Sequence, residues 1–165
     1  MRNPSEEQII KIFQKNFGNK KFVSEDVEFL RIGNMGLVFK LDTLVASTDV
    51  PPKMKLEDVA RKSMVACVSD FASKGVKPLY GFVSIVIPRK FSKSQIEKLA
   101  KGFRVTSKEF GFKMIGGDTN EGLELSLNVS LFGVANEITH RKGAQIGDSI
   151  FVTGPFGYTS ADLVS

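Results

Sequence analysis

The chain has 165 residues, 42% hydrophobic and 25% charged, a composition that fits one globular domain and excludes disordered, collagenous and disulfide-stapled chains. Lys and Arg number 23 against 18 Asp and Glu, a net charge of +5 that suits a phosphate-bearing ligand. The basic residues are interleaved with acids, as in Lys53, Lys55, Glu57, Asp58, Arg61 and Lys62, so no nucleic-acid partner is expected. The single cysteine, Cys67, has no partner for an internal disulfide, the apolar stretch Phe82 to Pro88 is too short for a membrane span, and the polar start carries no secretory signal; a cytoplasmic location is expected.

Ser5-Glu6-Glu7-Gln8 opens a helix, with Ser5 as cap, Gln8 at the capping-box position and Ile9, Ile10 and Phe13 as an apolar stripe ending near Gly18. Gly36 to Leu41 and Thr43 to Ser47 are β-rich, with Gly33-Asn34-Met35-Gly36 as turn material before them. From Leu56 to about Lys74, Leu56, Ala60, Met64, Cys67 and Phe71 recur at helical intervals, and Gly75 ends the run. Pro78 to Pro88 predicts a strand; Ser92 caps a second amphipathic helix carrying Ile96, Leu99 and Phe103, which Gly111 stops. Phe112 to Ile115 predicts a short strand leading into a glycine turn, Leu123 to Ala135 a long strand with one apolar side, and Asp148 to Val152 another strand. The order predicts an α+β fold, a mixed sheet with helices on one face and the other face in need of a partner.

Four aspartates, Asp26, Asp49, Asp70 and Asp118, each sit beside hydroxyl or glycine neighbours at the end of a regular element. Gathered from separate elements, such carboxylates supply the hard oxygen ligands that Mg²⁺ prefers while leaving it positions for substrate phosphates. Taken singly, each is an ordinary cap or turn residue, Asp118 above all in its glycine turn. Asp70 falls on the edge of its helix's apolar stripe, where a half-shielded carboxylate wants a counter-charge or a metal. Gly116-Gly117 would let backbone N–H groups approach a phosphate. The only histidine, His140, reads as an exposed loop residue beside Arg141, which is a surface arginine or a phosphate partner, and neither a Ser-His-Asp nor a Cys-His arrangement is evident.

Four segments in order, Ser47-Thr48-Asp49-Val50-Pro51-Pro52, Ala60-Arg61-Lys62 with Val68-Ser69-Asp70-Phe71-Ala72-Ser73-Lys74-Gly75, Gly116-Gly117-Asp118-Thr119-Asn120-Glu121, and Arg141-Lys142-Gly143-Ala144-Gln145-Ile146-Gly147-Asp148 ending in Val152-Thr153-Gly154, closely resemble the thiamine-monophosphate kinases, particularly the archaeal ones, within the aminoimidazole ribonucleotide synthetase superfamily. The resemblance implies transfer of the ATP γ-phosphoryl group to thiamine monophosphate, with Mg²⁺ and no protein nucleophile. It assigns Asp26, Ser47, Thr48, Asp49, Asp70 and Asp118 to metal, and Gly117, Asp118 and Arg141 to ATP; the substrate contacts stay unassigned. It further implies a homodimer in which the sheets of two copies pair into a barrel. The 165 residues would be a single N-terminal metal- and ATP-binding, dimerising domain, inactive alone without the family's second domain and stopping in a helix after Gly154-Pro155-Phe156-Gly157.

The sequence departs from the family pattern at three places. Ser24-Glu25-Asp26 stands for the usual Gly-Asp-Asp, Leu56 falls near the place of a substrate-assigned histidine of bacterial members, and Cys67 replaces an asparagine common before Ser-Asp. Another ATP-using member of the superfamily and a non-catalytic dimerisation module are the alternatives.

Overall fold

A computed structural model of the chain describes residues 4–18, 25–152 and 154. Helix α1 (Glu6–Asn16) starts on the expected capping box, with Ser5 accepting from the Gln8 N–H and the Gln8 side chain accepting from the Ser5 N–H. Its apolar stripe buries nothing among the described residues: Ile9, Ile12, Phe13 and Phe17 are all exposed.

The body is a five-stranded sheet in the order β1-β2-β5-β3-β4. Strands β1 (Glu28–Ile32) and β2 (Met35–Val45) form an antiparallel hairpin, and a helical turn α2 (Ala46–Asp49) follows directly. Helix α3 (Leu56–Ser73) leads to β3 (Pro78–Pro88), and α4 (Lys93–Phe110) is the crossover to β4 (Lys113–Gly122), which runs parallel to β3. Strand β5 (Ser126–Val134) returns to the middle, antiparallel to both β2 and β3. The expected α+β class and mixed sheet are thus present, with α3 and α4 packed on each other and on one face.

The periodicity of α3 is the reason for that packing. Ala60, Met64, Cys67 and Phe71 lie on one side of the helix, are fully buried, and meet Val38, Leu127, Val129 and Leu131 of the sheet in one core. The alternation in β5 therefore marks the covered face, where Leu125, Leu127, Val129 and Leu131 are buried. The open face is apolar for a different reason: Leu30, Ile32, Met35, Leu41, Tyr80, Phe82 and Val134, from β1, β2, β3 and the end of β5, remain exposed there.

Three expectations are corrected. Glu28–Ile32 is a strand that the β-rich stretches did not include, and the two stretches from Gly36 to Ser47 are one long strand plus a helical turn. Gly116-Gly117-Asp118-Thr119-Asn120 is no turn: these residues continue β4 in register with Phe82 to Val86 across a bulge. A Cβ on Gly117 would come within 1.9 Å of the Val83 carbonyl oxygen, so close strand packing demands a glycine here. Asp148 to Val152 forms no strand, because it pairs with nothing in the sheet. The helix expected after Gly154 lies outside the described residues.

Candidate functional site

Strand β1 pairs only with the first part of β2, from Met35 to Phe39. Beyond that point the β2 edge is free of β1, the chain before β1 peels away, and Glu25, Asp26, Glu28, Lys40, Leu41 and Ser130 line a cleft of about 500 Å³. A smaller cavity of about 170 Å³ continues along the same strand between Asp42, Thr43, Asp49, Lys62 and Ser63. Three of the four aspartates singled out in the sequence, Asp26, Asp49 and Asp70, lie along this strand, each carried by a different element.

Asp70 enters from α3, whose apolar stripe fixes it at the rim of the core. Its carboxylate meets the Lys40 ammonium at 2.6 Å, both side chains being about four-fifths buried, and Asp42 lies 3.9 Å from the same ammonium. Burial opposes the charge on Lys40, but the hydrogen bond to Asp70 and the fields of Asp42 and Asp70 lift its pKa above the ordinary lysine value. The half-shielded aspartate predicted from the helical wheel has found a counter-charge within the chain. Cys67, one turn before Asp70, is buried with its thiol 3.3 Å from the Val129 carbonyl oxygen, and burial pushes its pKa up to about 12.

Asp26 enters from the segment before β1. Arg141 grips it with two nitrogens, Nε at 3.0 Å from Oδ2 and Nη2 on Oδ1, and this pairing holds the Asp26 carboxyl below its usual range. The Lys74 ammonium, just past the end of α3, touches Glu25 and lies 3.5 Å from Asp26. That contact is the main reason the Glu25 carboxyl is also held low, aided by His140 Nδ1 at 3.2 Å and the Arg141 N–H. The guanidinium of Arg141 is raised chiefly by Asp26, and the fields of Glu25 and Asp70 act on it too, so both acidic groups share one electrostatic neighbourhood. His140 itself is exposed, as expected of a loop residue.

Asp49 closes α2, and its Oδ2 turns back to accept the Val45 N–H at 2.7 Å while its carbonyl oxygen takes the Lys62 ammonium. Ser47 is exposed with its N–H on Glu124 Oε2 at 2.8 Å, and the Thr48 hydroxyl donates to the Val45 carbonyl oxygen at 3.4 Å. Two predicted residues stand apart. Gly117 and Asp118 belong to β4, at the opposite edge of the sheet from β1, and at ~4.8 Å per strand the three steps from β2 amount to roughly 14 Å. Asp118 is exposed in register with Ser84, Asn128 and Thr43, a polar row across the open face in which the Thr43 hydroxyl donates to Asn128 Oδ1 at 2.7 Å.

Sequence reasoning missed the basic half of this site. Lys62 and Lys74 lie inside the family-like segments but were given no role there, and Lys40 lies in none of them; one physical cue was available: Lys74 falls three residues after Phe71 on the buried stripe of α3, where an apolar side chain belongs. Asp42 was missed as well, being hidden in a β-rich run. The donor set fits a hard divalent cation, since Asp26, Asp42, Asp49 and Asp70 offer carboxylate oxygens and Ser47 and Thr48 offer hydroxyls. Among the described residues no three carboxylate, histidine or cysteine groups converge into a finished metal cage, and lysine or arginine nitrogens hold the carboxylates of Asp26 and Asp70.

A family model for the AIR synthase related protein N-terminal domain matches residues 24–135, from the segment before β1 through the end of β5. The chain belongs to that family. It is 55% identical to a thiamine-monophosphate kinase of Nitrosopumilus maritimus over 99% of its own length and 52% of that protein's. It is 34% identical to a thiamine-monophosphate kinase of Pyrococcus abyssi, over 92% of the chain and 49% of the relative. The chain spans about half the length of the curated relatives it matches. Among solved structures, AaThiL complexed with AMPPCP and TMP superposes with a TM-score of 0.81 at 22% identity, covering 90% of this chain and 48% of that one, a likeness of fold. No helix among the described residues is long and apolar enough to cross a membrane.

Proposed function

We propose that the chain forms the ATP- and Mg²⁺-binding half of a thiamine-monophosphate kinase, which moves the γ-phosphoryl group of ATP onto the phosphate of thiamine monophosphate and releases thiamine diphosphate and ADP. The observation that carries this reading is that three separate elements hold Asp26, Asp49 and Asp70 along one strand, β2: Asp70 on Lys40, Asp49 on the Val45 N–H, and Asp26, gripped by Arg141, in the cleft beside Lys40 and Leu41. Asp26, Ser47, Thr48, Asp49, Asp70 and Asp118 would hold metal; Gly117, Asp118 and Arg141 would hold ATP. Mg²⁺ there supplies neutralising charge for the transferring phosphoryl group. The protein's own part is positioning: carboxylates fixed by backbone and lysine contacts, and an exposed guanidinium able to exchange Asp26 for a phosphate.

The reading includes a homodimer. The exposed apolar face of the sheet is closed by the same face of a second copy, the two sheets forming a barrel, which also brings Asp118 into an interior surface. The location is the cytoplasm, in keeping with a single buried thiol.

Two experiments test this. The protein extended to the length of its relatives and supplied with thiamine monophosphate, ATP and Mg²⁺ should yield thiamine diphosphate. Asp49→Asn or Asp70→Asn should remove at least ~10²-fold of the rate, about 2.7 kcal/mol of transition-state stabilisation, without unfolding it. Wild-type turnover in both variants would refute the site. For the dimer, light scattering of the 18.1 kDa chain at micromolar concentration should give about twice that mass, and Phe82→Asp on the open face should return it to the monomer value.

A further inference from the structure

Lys74 occupies a place where the fold asks for an apolar side chain. It follows the buried stripe of α3 at helical spacing, its side chain is only 2% exposed, and its backbone is used as well: its N–H donates to the Phe71 carbonyl oxygen at 3.1 Å and its carbonyl oxygen accepts the Thr139 N–H at 3.2 Å. An ammonium is buried at such cost only where fixed anions meet it. Here they are the carboxylates of Glu25, 12% exposed, and Asp26, 23% exposed. The other side chains on this pair, the Arg141 guanidinium and the His140 imidazole, are each more than half exposed. One buried lysine thus joins the end of α3, the segment before β1 and the loop that carries Arg141.

We propose that Lys74 is a positioning residue for the candidate site, a built-in counter-ion that fixes the Glu25 and Asp26 carboxylates and stops them from capturing a divalent cation by themselves. The inference rests on the metal-site reading above and deepens it. With Lys74 in place, two carboxylates face one permanent positive charge, and their remaining charge is balanced by Arg141. Metal reaches Asp26 when Arg141 has another anion to hold, so metal and nucleotide phosphate enter together rather than in turn.

The test measures Mn²⁺ binding to the chain, without nucleotide, by the loss of free-ion electron paramagnetic resonance signal. Lys74→Met should bind Mn²⁺ at least about tenfold more tightly than wild type, because opposite charges a few ångströms apart in a partly buried site interact strongly. Lys74→Arg should keep the wild-type affinity. Unchanged Mn²⁺ affinity in a folded Lys74→Met chain, verified by circular dichroism, would overturn the proposal, since a merely structural lysine would alter stability alone. Should Lys74→Met fail to fold, Glu25→Gln is compared with Lys74→Met/Glu25→Gln, in which no charge is stranded: tighter Mn²⁺ binding by the double variant supports the role of Lys74, and equal affinities overturn it. ATP binding in the presence of Mn²⁺ is scored separately. Its absence throughout, with the lysine effect present, would count against the kinase reading and not against Lys74.

Discussion

The two faces of the sheet solve opposite problems with the same backbone. Under α3 and α4 the covered face is dry at its centre, where Phe71, Met64, Leu127 and Leu131 meet, and ionic at its rim, where Lys40 and Lys74 each satisfy acidic groups brought from elsewhere in the chain. On the open face the gradient runs along the strands instead, from Leu30, Met35 and Phe82 to the row Thr43, Asn128, Ser84 and Asp118, and no described residue covers it. The lesson is that charge is placed where the chain's own packing fixes it, while the apolar surface is left where only another molecule's packing can use it.

Substitutions separate the two. Phe71→Ala, a fully buried ring in the core, should cost about 3–5 kcal/mol in urea unfolding, whereas Phe82→Ala, measured where the chain is monomeric, should cost less than about 1 kcal/mol. Similar losses at both would erase the distinction between the faces. At the ionic rim, Asp70→Asn deprives a mostly buried Lys40 of its closest anion, and a loss of about 1–2 kcal/mol with cooperative unfolding retained is expected from the same assay.

Acid should act on the rim and spare the open face. Glu25 and Asp26 titrate below their ordinary values of 4.5 and 3.8, so the stability they contribute is complete above those values and is lost as pH falls through their depressed native values. Thermal midpoints followed from about pH 6 to about pH 3 should drop, and Glu25→Gln should flatten the drop. A fall that is equally steep in that variant would mean other carboxylates carry the acid limb. The smallest effect concerns Cys67: its pKa of about 12 and its burial predict no reaction with a thiol reagent in the native chain, and labelling before unfolding would show that the core opens locally.

How much of this could be read beforehand differs element by element. The capping box at Ser5 and the stripe Ala60, Met64, Cys67, Phe71 are local periodicities, and both are present as read. Strand β1 was passed over although Gly33-Asn34, with φ of 59° at Gly33, is a two-residue hairpin loop that pairs Ile32 with Met35. The Gly116-Gly117 pair differs from its turn-like look because a glycine signals a turn in sequence, whereas here Gly117 relieves contact with the Val83 backbone inside a strand. At the site, acidic residues stood out through their hydroxyl and glycine neighbours. Their lysine partners lie between 13 and 49 residues away, as for Lys62 with Asp49 and Lys74 with Glu25, and no local pattern reports such pairings.

The position of β5 sets the order in which the molecule can be assembled. Among the described residues it is the last strand along the chain and the middle strand of the sheet, so β2 and β3 are joined in the sheet only through it. As the chain leaves the ribosome, the β1–β2 hairpin and the β3-α4-β4 unit can form as separate pieces, but the sheet stays in two parts until residues 126–134 arrive and insert between them. Pairings such as Leu37 with Val134 span nearly the whole body, which makes the closing step entropically costly and slow relative to the helices. Until then two apolar strand edges are open at once, and that interval is when the nascent chain is most exposed to aggregation and most in need of a chaperone.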